Sequence, residues 1–464
     1  MNQDVLKKSI DFISSWLRFR YEREEVPGYV VAISYKNKLL LHKAYGYADL
    51  EKKTELTTQH AFRIASQSKT FTATAVMQLQ EQGKLRIDDY VIDHLLWLKE
   101  HEDKRWQKVT IRQLLSHSAG IIRDGLNADY WQLERPFPNE RELKKLILEA
   151  GLVLDTNIKL KYSNVGYSLL GMLVKAVSGK PYNDYVTEHI VSPLELKNTG
   201  PEFAPNIERT LVTGYTRRDV HKKRLPIVNI DTRAMAAATG FYATAEDLCA
   251  YFTAHFTGSG KLLSDESKKE MQRVQWHAKT PGQDNHEDYG LGLELEYLKE
   301  RKTIGHGGGF PGHTTKSIAD PRDELVVVVL TNCLDSPVSA IAKGAYSIID
   351  YYQKNTIESE PKHDLSKFQG RYMNLWEITD IIVTGDKVVA VYPDTWEPLA
   401  TCEELEYVNA KTLKVIGAGS FSSEGELVHF NIENGRVESL RYNGYALWPE
   451  TVWLKRQSKR KLVG

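Results

Sequence analysis

Apolar and polar positions recur along this chain with two periods, helical and strand-like, and the period changes with position. Near the N-terminus Ile10, Ile13, Trp16 and Leu17 fall on one helical face, which predicts an amphipathic helix. Residues 28–46 (GYVVAISYKNKLLLHKAYG) switch to two strand-like runs joined near Lys36-Asn37-Lys38. Helical spacing returns over 67–83, where Phe71, Ala75, Val76 and Leu79 form one stripe closed by Gly83. A short helix is expected over 111–118, ending before Ala119-Gly120. Another follows Asn164, its expected cap, with Leu169, Leu170, Leu173 and Val177 in register up to Gly179. Thr244 is the expected cap of a further helix at Ala245-Glu246-Asp247-Leu248. From about 301 strands return as RKTIGHGGG, HTTKSIAD and ELVVVVLTNC, and a helix is expected over roughly 337–353. Strands at both ends of a region with helices between them predict one sheet built from sequence-distant halves.

Beyond this point the pattern changes again. Residues 356–364 are polar, contain a proline and read as a linker. Residues 365–464 carry short alternating strands with turn signals at Gly385-Asp386, Asn434-Gly435 and Asn443-Gly444. That pattern predicts a small antiparallel β-barrel or sandwich. The expected organisation is therefore an α+β domain over 1–355, the linker, and a β-domain over 365–464. A length of 464 residues agrees with two domains rather than one core.

Composition narrows the classes. With 41% hydrophobic and 26% charged residues the chain can bury large cores. The formal net charge is zero, so no bulk attraction to nucleic acid or to an anionic membrane is expected. The local exception is the C-terminal cluster of Lys455, Arg456, Lys459, Arg460 and Lys461, read as a solvated tail. Cys249, Cys333 and Cys402 are few, far apart and odd in number, which argues against a disulfide framework and a thiolate zinc site. The N-terminus is interrupted by charges and does not read as a signal peptide. No run approaches 18 uncharged apolar residues. A reduced, cytoplasmic setting is the expectation.

Three short motifs carry candidate chemistry. Ser66-Gln67-Ser68-Lys69 places a hydroxyl and an amine one helical turn apart, on one face. Serine is a poor nucleophile at neutral pH and needs a base, and a lysine serves once burial lowers its pKa. A helix start at Ser66 would add a positive field and free N–H groups. Tyr162-Ser163-Asn164 offers a phenol as a second proton relay and an amide to contact substrate or orient Lys69. His306-Gly307-Gly308-Gly309 follows a strand-like run, and its glycines let a bound acyl group approach the backbone. An N–H from that strand, paired with the N–H of Ser66, would hold a developing oxyanion. The spacings alone are weak: Ser458 and Lys461 repeat the first, and Tyr35/Asn37 and Tyr407/Asn409 repeat the second.

Context makes them specific. FRIASQSKTFTATAV (62–76), TIRQLLSHSAGI (110–121), YSNVGYSLLG (162–171), TGFYATAEDL (239–248) and GHGGGFPG (305–312) resemble, in order, the serine β-lactamase-related hydrolases. That family groups class C β-lactamases, D-alanyl-D-alanine carboxypeptidases, D-aminopeptidases and certain esterases. The resemblance implies an antiparallel sheet flanked by helices, a mostly helical region, and a cleft between. It implies Ser66 as acylated nucleophile, Lys69 as its base, Tyr162 as proton carrier and His306 as a further catalytic residue, with Asn164, Gly308 and Gly309 as substrate-binding or oxyanion residues, Gly309 giving the second oxyanion N–H. It implies no metal and no cofactor, and a peptide or small-molecule substrate. His306 stands where many relatives carry a lysine, a permanent cation for a substrate carboxylate. A histidine there is mostly neutral at pH 7. It favours ester or peptide-amide substrates over β-lactams and C-terminal D-alanine. The trailing domain resembles lipocalin-like β-domains appended to D-aminopeptidases, which implies a part in restricting the cleft or in forming a homo-oligomer.

Rival readings are weaker on the same residues. The glycine run superficially matches a lipase oxyanion motif, but no Gly-x-Ser-x-Gly elbow follows it. His306, His313 and His286-Glu287-Asp288 lack metal-ligand spacing. A catalytically silent binding protein that uses the β-domain is the alternative from another class. Intact Ser66, Lys69 and Tyr162 argue against it.

Overall fold

The structure is a computed structural model, and it describes residues 2–279, 286–355, 363–385, 387–417 and 423–457. Most of the expected linker and the last residues of the basic tail lie outside the described residues. The chain forms two compact units, Glu25–Ala342 and the combination of Met1–Glu24 with Lys343–Gly464.

The first unit is organised on an antiparallel sheet. Its strands are β1 (Gly28–Tyr35), β2 (Lys38–Asp49), β3 (Thr54–Glu55), β4 (Trp276–Lys279), β5 (His286–Tyr289), β6 (Glu294–Leu298), β7 (Arg301–Phe310), β8 (His313–Asp320) and β9 (Leu325–Thr331). They lie in the order β3-β2-β1-β9-β8-β7-β6-β5-β4. The first and last parts of the unit thus meet at β1 and β9, with Val30 opposite Leu330. Both strands are buried at every position, which is why their sequences run apolar without alternation. Lys36 and Asn37 take φ of 50° and 59°, the left-handed pair that a tight β1–β2 hairpin requires. β4, β5 and β6 had no clear signature: they are short, rich in polar residues and at the sheet edge.

Helices complete the core. Ala245–Ala254 packs on β1 and β9, and the Thr244 side chain caps it by accepting from the Asp247 N–H, as its sequence predicts. The helix Ser68–Glu81 differs from expectation. It is buried from Ser68 through Leu79, not along one stripe. Its threonine hydroxyls make this tolerable by bonding carbonyls: Thr70 to Gln67 O (2.8 Å), Thr74 to Thr70 O (2.9 Å) and Thr72 to Ala237 O (2.6 Å). The expected helix over 111–118 stops at Leu115, and His117 and Gly120 turn the chain with φ of 57° and 76°. Asn164 is not the cap of its helix. Ser163 caps it, accepting from the Gly166 N–H at 2.9 Å, and leaves the Asn164 amide for other partners.

In the second unit eight antiparallel strands, from Gly370–Met373 to Tyr445–Pro449, form a closed barrel. The first strand pairs with the last, Tyr372 opposite Pro449. Asn434-Gly435 and Asn443-Gly444 make two of its hairpin turns, all four residues at positive φ. Alternate side chains, among them Ile381, Val388, Leu405, Leu413, Val428, Phe430 and Leu447, fill the interior. The N-terminal helix Gln3–Glu24 joins this unit. Its Trp16 indole donates to Pro393 O (3.1 Å), and Arg20 donates to Asp394 O (2.7 Å) while stacking on Trp396.

Candidate active site

Ser66 sits in a single 3₁₀ turn, Ala65–Gln67, that leads into the buried helix. Ala65 takes φ of 53°, a costly conformation for a residue with a Cβ. The neighbours of Ser66 hold the turn in place. Gln67 Nε2 donates to Thr315 Oγ1 (2.8 Å) and its Oε1 accepts from Ser317 (2.7 Å), both on β8. Ser68 Oγ donates to Ala65 O (2.6 Å) and accepts from the Phe241 N–H (3.0 Å). Gln67 and Ser68 are fully buried, whereas Ser66 is partly exposed.

Lys69 points back under Ser66. Its Nζ lies 3.1 Å from Ser66 Oγ, 2.7 Å from Asn164 Oδ1 and 2.8 Å from Ala238 O. The last two can only accept. The assignment of the Asn164 amide is fixed from behind, where its Nδ2 donates to Asp124 Oδ1 at 2.7 Å. A neutral amine with both hydrogens so committed turns its lone pair to the serine hydroxyl. Complete burial holds the Lys69 pKa well below the ordinary lysine value. Asp124 and Glu294 pull the other way and Arg123 adds to the depression.

Tyr162 supplies a second hydroxyl at Ser66. Its hydroxyl lies near the serine side chain, and its ring lies 4.8 Å from Lys69 Nζ. Burial raises its pKa, so the phenol stays protonated and acts as a donor rather than a phenolate. Behind it stands His117, which sequence reasoning did not single out. Its ring packs at 4.2 Å on Tyr162 and 4.9 Å on both Tyr167 and Tyr289. Its Nδ1 accepts from the Ser163 N–H (3.1 Å), which ties the Tyr162-Ser163-Asn164 segment to the turn after Leu115. Burial keeps this imidazole neutral.

The glycine strand is β7. At Gly308 an added Cβ would lie 2.2 Å from Ile64 O and 2.5 Å from Thr315 Oγ1, so the absent side chain is what lets β7 touch the Ser66 turn. At Gly309 nothing lies within 4 Å. β6 pairs with β7 only as far as Gly305, opposite Glu294. The Gly307 N–H points to that same edge and donates to Glu294 Oε2 at 2.9 Å. Strand alternation therefore aims the Gly309 N–H and C=O at the same edge, beyond the end of β6. His306 spends both ring nitrogens inside the protein. Nδ1 donates to Gly307 O (2.6 Å) and Nε2 accepts from the Tyr289 hydroxyl (3.1 Å). Burial lowers its pKa, so it carries no standing positive charge. Glu294 is tied to Lys316 at 2.7 Å, and Lys316 also pairs with Glu296.

Phe310, next on β7, joins Ala65, Tyr130, Phe137 and Met235 in an apolar cluster beside the nucleophile turn, with Trp131 against it. The Trp131 ring stands edge-on to Phe310 at 6.1 Å, and its indole donates to Asp124 Oδ1 at 2.9 Å. The loops 130–132 and 310–312 are thus brought together. His313 does not join His306 in a cluster: it is buried against Phe62 and Phe310. Asp288 bonds His277 at 2.7 Å. Among the described residues no group of three or more His, Cys, Asp or Glu is placed to hold a metal ion.

The profile of the family described as Beta-lactamase matches residues 14–348. The chain belongs to that family. Protein flp of Staphylococcus aureus strain MW2 is 24% identical over 345 residues, covering 73% of this chain. The chain spans 66% of that relative's length. Among solved structures, the octameric penicillin-binding protein homologue from Pyrococcus abyssi superposes with a TM-score of 0.66 at 23% identity, covering 94% of this chain and 99% of that one. The D-amino acid amidase from Ochrobactrum anthropi SV3, complexed with L-phenylalanine amide, gives 0.57 at 24% identity, covering 75% and 96%. These β-lactamase relatives share the α+β fold of the first unit; the near-complete match to the Pyrococcus homologue extends the likeness to the barrel. No described helix is long and apolar enough to cross a membrane.

Proposed function

We propose that this protein is a serine hydrolase that cleaves an ester or a peptide amide through an acyl-enzyme on Ser66. The observation that carries the reading is the placement of Lys69 Nζ 3.1 Å from Ser66 Oγ, with Asn164 Oδ1 and Ala238 O taking its hydrogens. In this reading Lys69 takes the Ser66 proton as Oγ attacks the carbonyl carbon. The oxyanion forms between the N–H groups of Ser66 and Gly309, a pair of donors worth about 10²–10³ in rate each. The protonated Lys69, through the Tyr162 phenol, returns the proton to the leaving atom. Water attacks the ester in the second half, with the same groups reversed. Asn164 acts by orienting Lys69, and His306 by fixing the Gly307 peptide.

The neutral His306 and the ionised Glu294 beside it disfavour substrates that present a carboxylate, so β-lactamase or D-alanyl carboxypeptidase activity is the lesser reading. The test compares wild type with Ser66→Ala on p-nitrophenyl butyrate and on a D-alanyl p-nitroanilide, with a serine-reactive phosphonate as a label. Ser66-dependent anilide cleavage assigns a peptidase, and ester cleavage alone an esterase. Absence of turnover and of label at Ser66 refutes the hydrolase reading in favour of a binding protein. The octameric Pyrococcus homologue also supports a homo-oligomer for this chain, which light scattering of the purified protein decides.

A further inference from the structure

Tyr162 lies in a segment that is neither helix nor strand, so no regular hydrogen-bond ladder fixes its phenol. One residue takes the main-chain N–H groups on either side of it. The His117 carbonyl accepts from the Lys161 N–H at 2.7 Å, and His117 Nδ1 accepts from the Ser163 N–H at 3.1 Å. The same imidazole packs on the Tyr162 ring, with centroids 4.2 Å apart. His117 thus holds Tyr162 before it, after it and on its face. The backbone allows this because His117 takes φ of 57°, and in that conformation its carbonyl and its side chain meet the same segment. The turn that carries it is itself anchored: the Ser118 and Ala119 N–H groups donate to Gln113 O at 2.9 and 3.1 Å.

The polar chemistry of the ring is directed at this segment. Nδ1 must carry the lone pair that Ser163 uses, so the ring proton sits on Nε2, which is buried with no hydrogen-bond partner among the described residues. Asn164, two residues beyond Tyr162, is held separately. Its N–H donates to Arg123 O at 2.9 Å and its side chain to Asp124 at 2.7 Å. Loss of the Nδ1 acceptor therefore falls on Tyr162, and the Lys69–Asn164 pair keeps its own supports.

Resting on the hydrolase reading above, we propose that His117 is a positioning residue for proton return, and that through Tyr162 it sets how well the enzyme cleaves bonds to poor leaving groups. When the tetrahedral adduct collapses, the bond from carbon to the leaving atom breaks and that atom keeps the electron pair. The Tyr162 hydroxyl gives it a proton and receives the one that Lys69 drew from Ser66. An alkoxide or an amide anion does not leave without that proton, whereas p-nitrophenolate does. Attack by Ser66 depends instead on Lys69, which Asn164 and Ala238 hold. Loosening Tyr162 therefore costs poor leaving groups more than good ones.

The experiment replaces His117 by two side chains of similar shape. His117→Asn keeps an acceptor at the place of Nδ1 and tolerates the left-handed backbone. His117→Leu lacks the acceptor, and Leu133 and Leu262 already take φ of 62° and 60° in this chain. Both are compared with wild type and Tyr162→Phe on the p-nitrophenyl and ethyl esters of one acyl group, butyryl or D-alanyl, whichever is turned over. The readout is kcat/KM, which reports the acylation half. His117→Leu is expected to lose about tenfold more on the ethyl ester than on the p-nitrophenyl ester, and His117→Asn to stay within about threefold of the wild-type ratio. In a Tyr162→Phe background His117→Leu should add no further selective loss, because both act through one phenol. Equal losses on the two esters, the same ratio in His117→Leu and His117→Asn, or a selective loss that persists without the phenol overturns the proposal. If His117→Leu does not fold, His117→Ala takes its place in the same comparison. A Tyr162→Phe enzyme with no selective loss also overturns it, while Ser66-dependent turnover leaves the acyl-enzyme standing. If neither ester is turned over and Ser66 does not label, the hydrolase reading fails and this assignment falls with it.

Discussion

Replacing the three glycines of β7 one at a time by alanine tests the site most directly, because the structure gives each a different outcome. An added methyl at Gly308 would stand 2.2 Å from Ile64 O and 2.5 Å from Thr315 Oγ1. Ordinary contact needs roughly 3.4 Å or more, and Ile64 O is backbone that cannot rotate away, so β7 and the 64–66 turn must separate by about 1 Å. That displacement falls between Ser66 and the Gly309 N–H, the two donors assigned to the oxyanion. A misplacement of about 1 Å in a reacting constellation costs about 10²-fold in rate, and forcing a methyl into packed space costs about 1–3 kcal/mol in stability. At Gly307 the nearest atom is Glu294 Oε1 at 3.7 Å, which is ordinary contact, and at Gly309 nothing lies within 4 Å. None of the three has positive φ, so alanine is conformationally acceptable at each. The assay is kcat/KM on p-nitrophenyl butyrate with a thermal melt of each variant. Gly308→Ala is expected to lose about 10²-fold with a lowered Tm. Gly307→Ala should stay within a few-fold, and Gly309→Ala should melt like wild type whatever its methyl does to KM. Wild-type kinetics in Gly308→Ala, or equal losses at Gly307 and Gly308, would refute the packing argument.

Other expectations follow from the same geometry. Lys69→Ala should lose nearly as much kcat as Ser66→Ala, since the pair acts as a unit, and a Lys69→Ala enzyme that keeps most of its rate would remove the assigned base. Asn164→Ala frees one amine hydrogen of Lys69 and removes one of the donors to Asp124, and should lower kcat more than it raises KM; the reverse split would make Asn164 a substrate contact instead. Because neutral Lys69 is the active form and burial lowers its pKa, kcat/KM should rise with pH along a limb below the ordinary lysine range, and a profile that rises only near the value of free lysine would contradict that burial. Stability should fall on acidification below the ordinary histidine pKa. Burial drives His255 from 6.5 to about 4 and His313 to about 3, so between those values and 6.5 the unfolded chain binds protons the folded chain does not. Stability then rises with pH through this window, by on the order of 3 kcal/mol for His255 alone, and urea midpoints that are equal at pH 7 and pH 4.5 would exclude it.

Local signals were enough for much of this fold. The β1–β2 hairpin, the glycine strand, the Thr244 cap and the Asn-Gly turns of the barrel each depend on neighbouring residues, and each appears where its sequence places it. The site motifs were legible for a related reason. Ser66 and Lys69 are joined by one helical turn, so their proximity is a property of spacing. Less could be read where partners come from far along the chain. The helix Ser68–Glu81 looked amphipathic because its threonines are polar, yet their hydroxyls bond carbonyls and the whole helix is buried. Asn164 looked like a cap until Ser163 took that place. His117, Asp124 and Glu294 carried no motif, because what matters about them is which distant groups they face.

The sequence by itself determined most of the elements and the candidate nucleophile and base, which rest on periodicity, on turn residues and on spacing within one helix, and the family, which rests on the resemblance of five segments taken in order. Tertiary structure alone decided that an apolar cluster around Phe310 lies beside the nucleophile turn. It also decided that both nitrogens of His306 are engaged within the protein, and that the N-terminal helix belongs with the barrel rather than with the sheet it precedes. The physical reason is common to all three. A charge, a hydrogen-bond vacancy or an apolar face acquires its meaning from what lies within a few ångströms, and here at least one deciding neighbour in each case, such as Tyr289 for His306 or Pro393 for Trp16, lies well beyond local sequence.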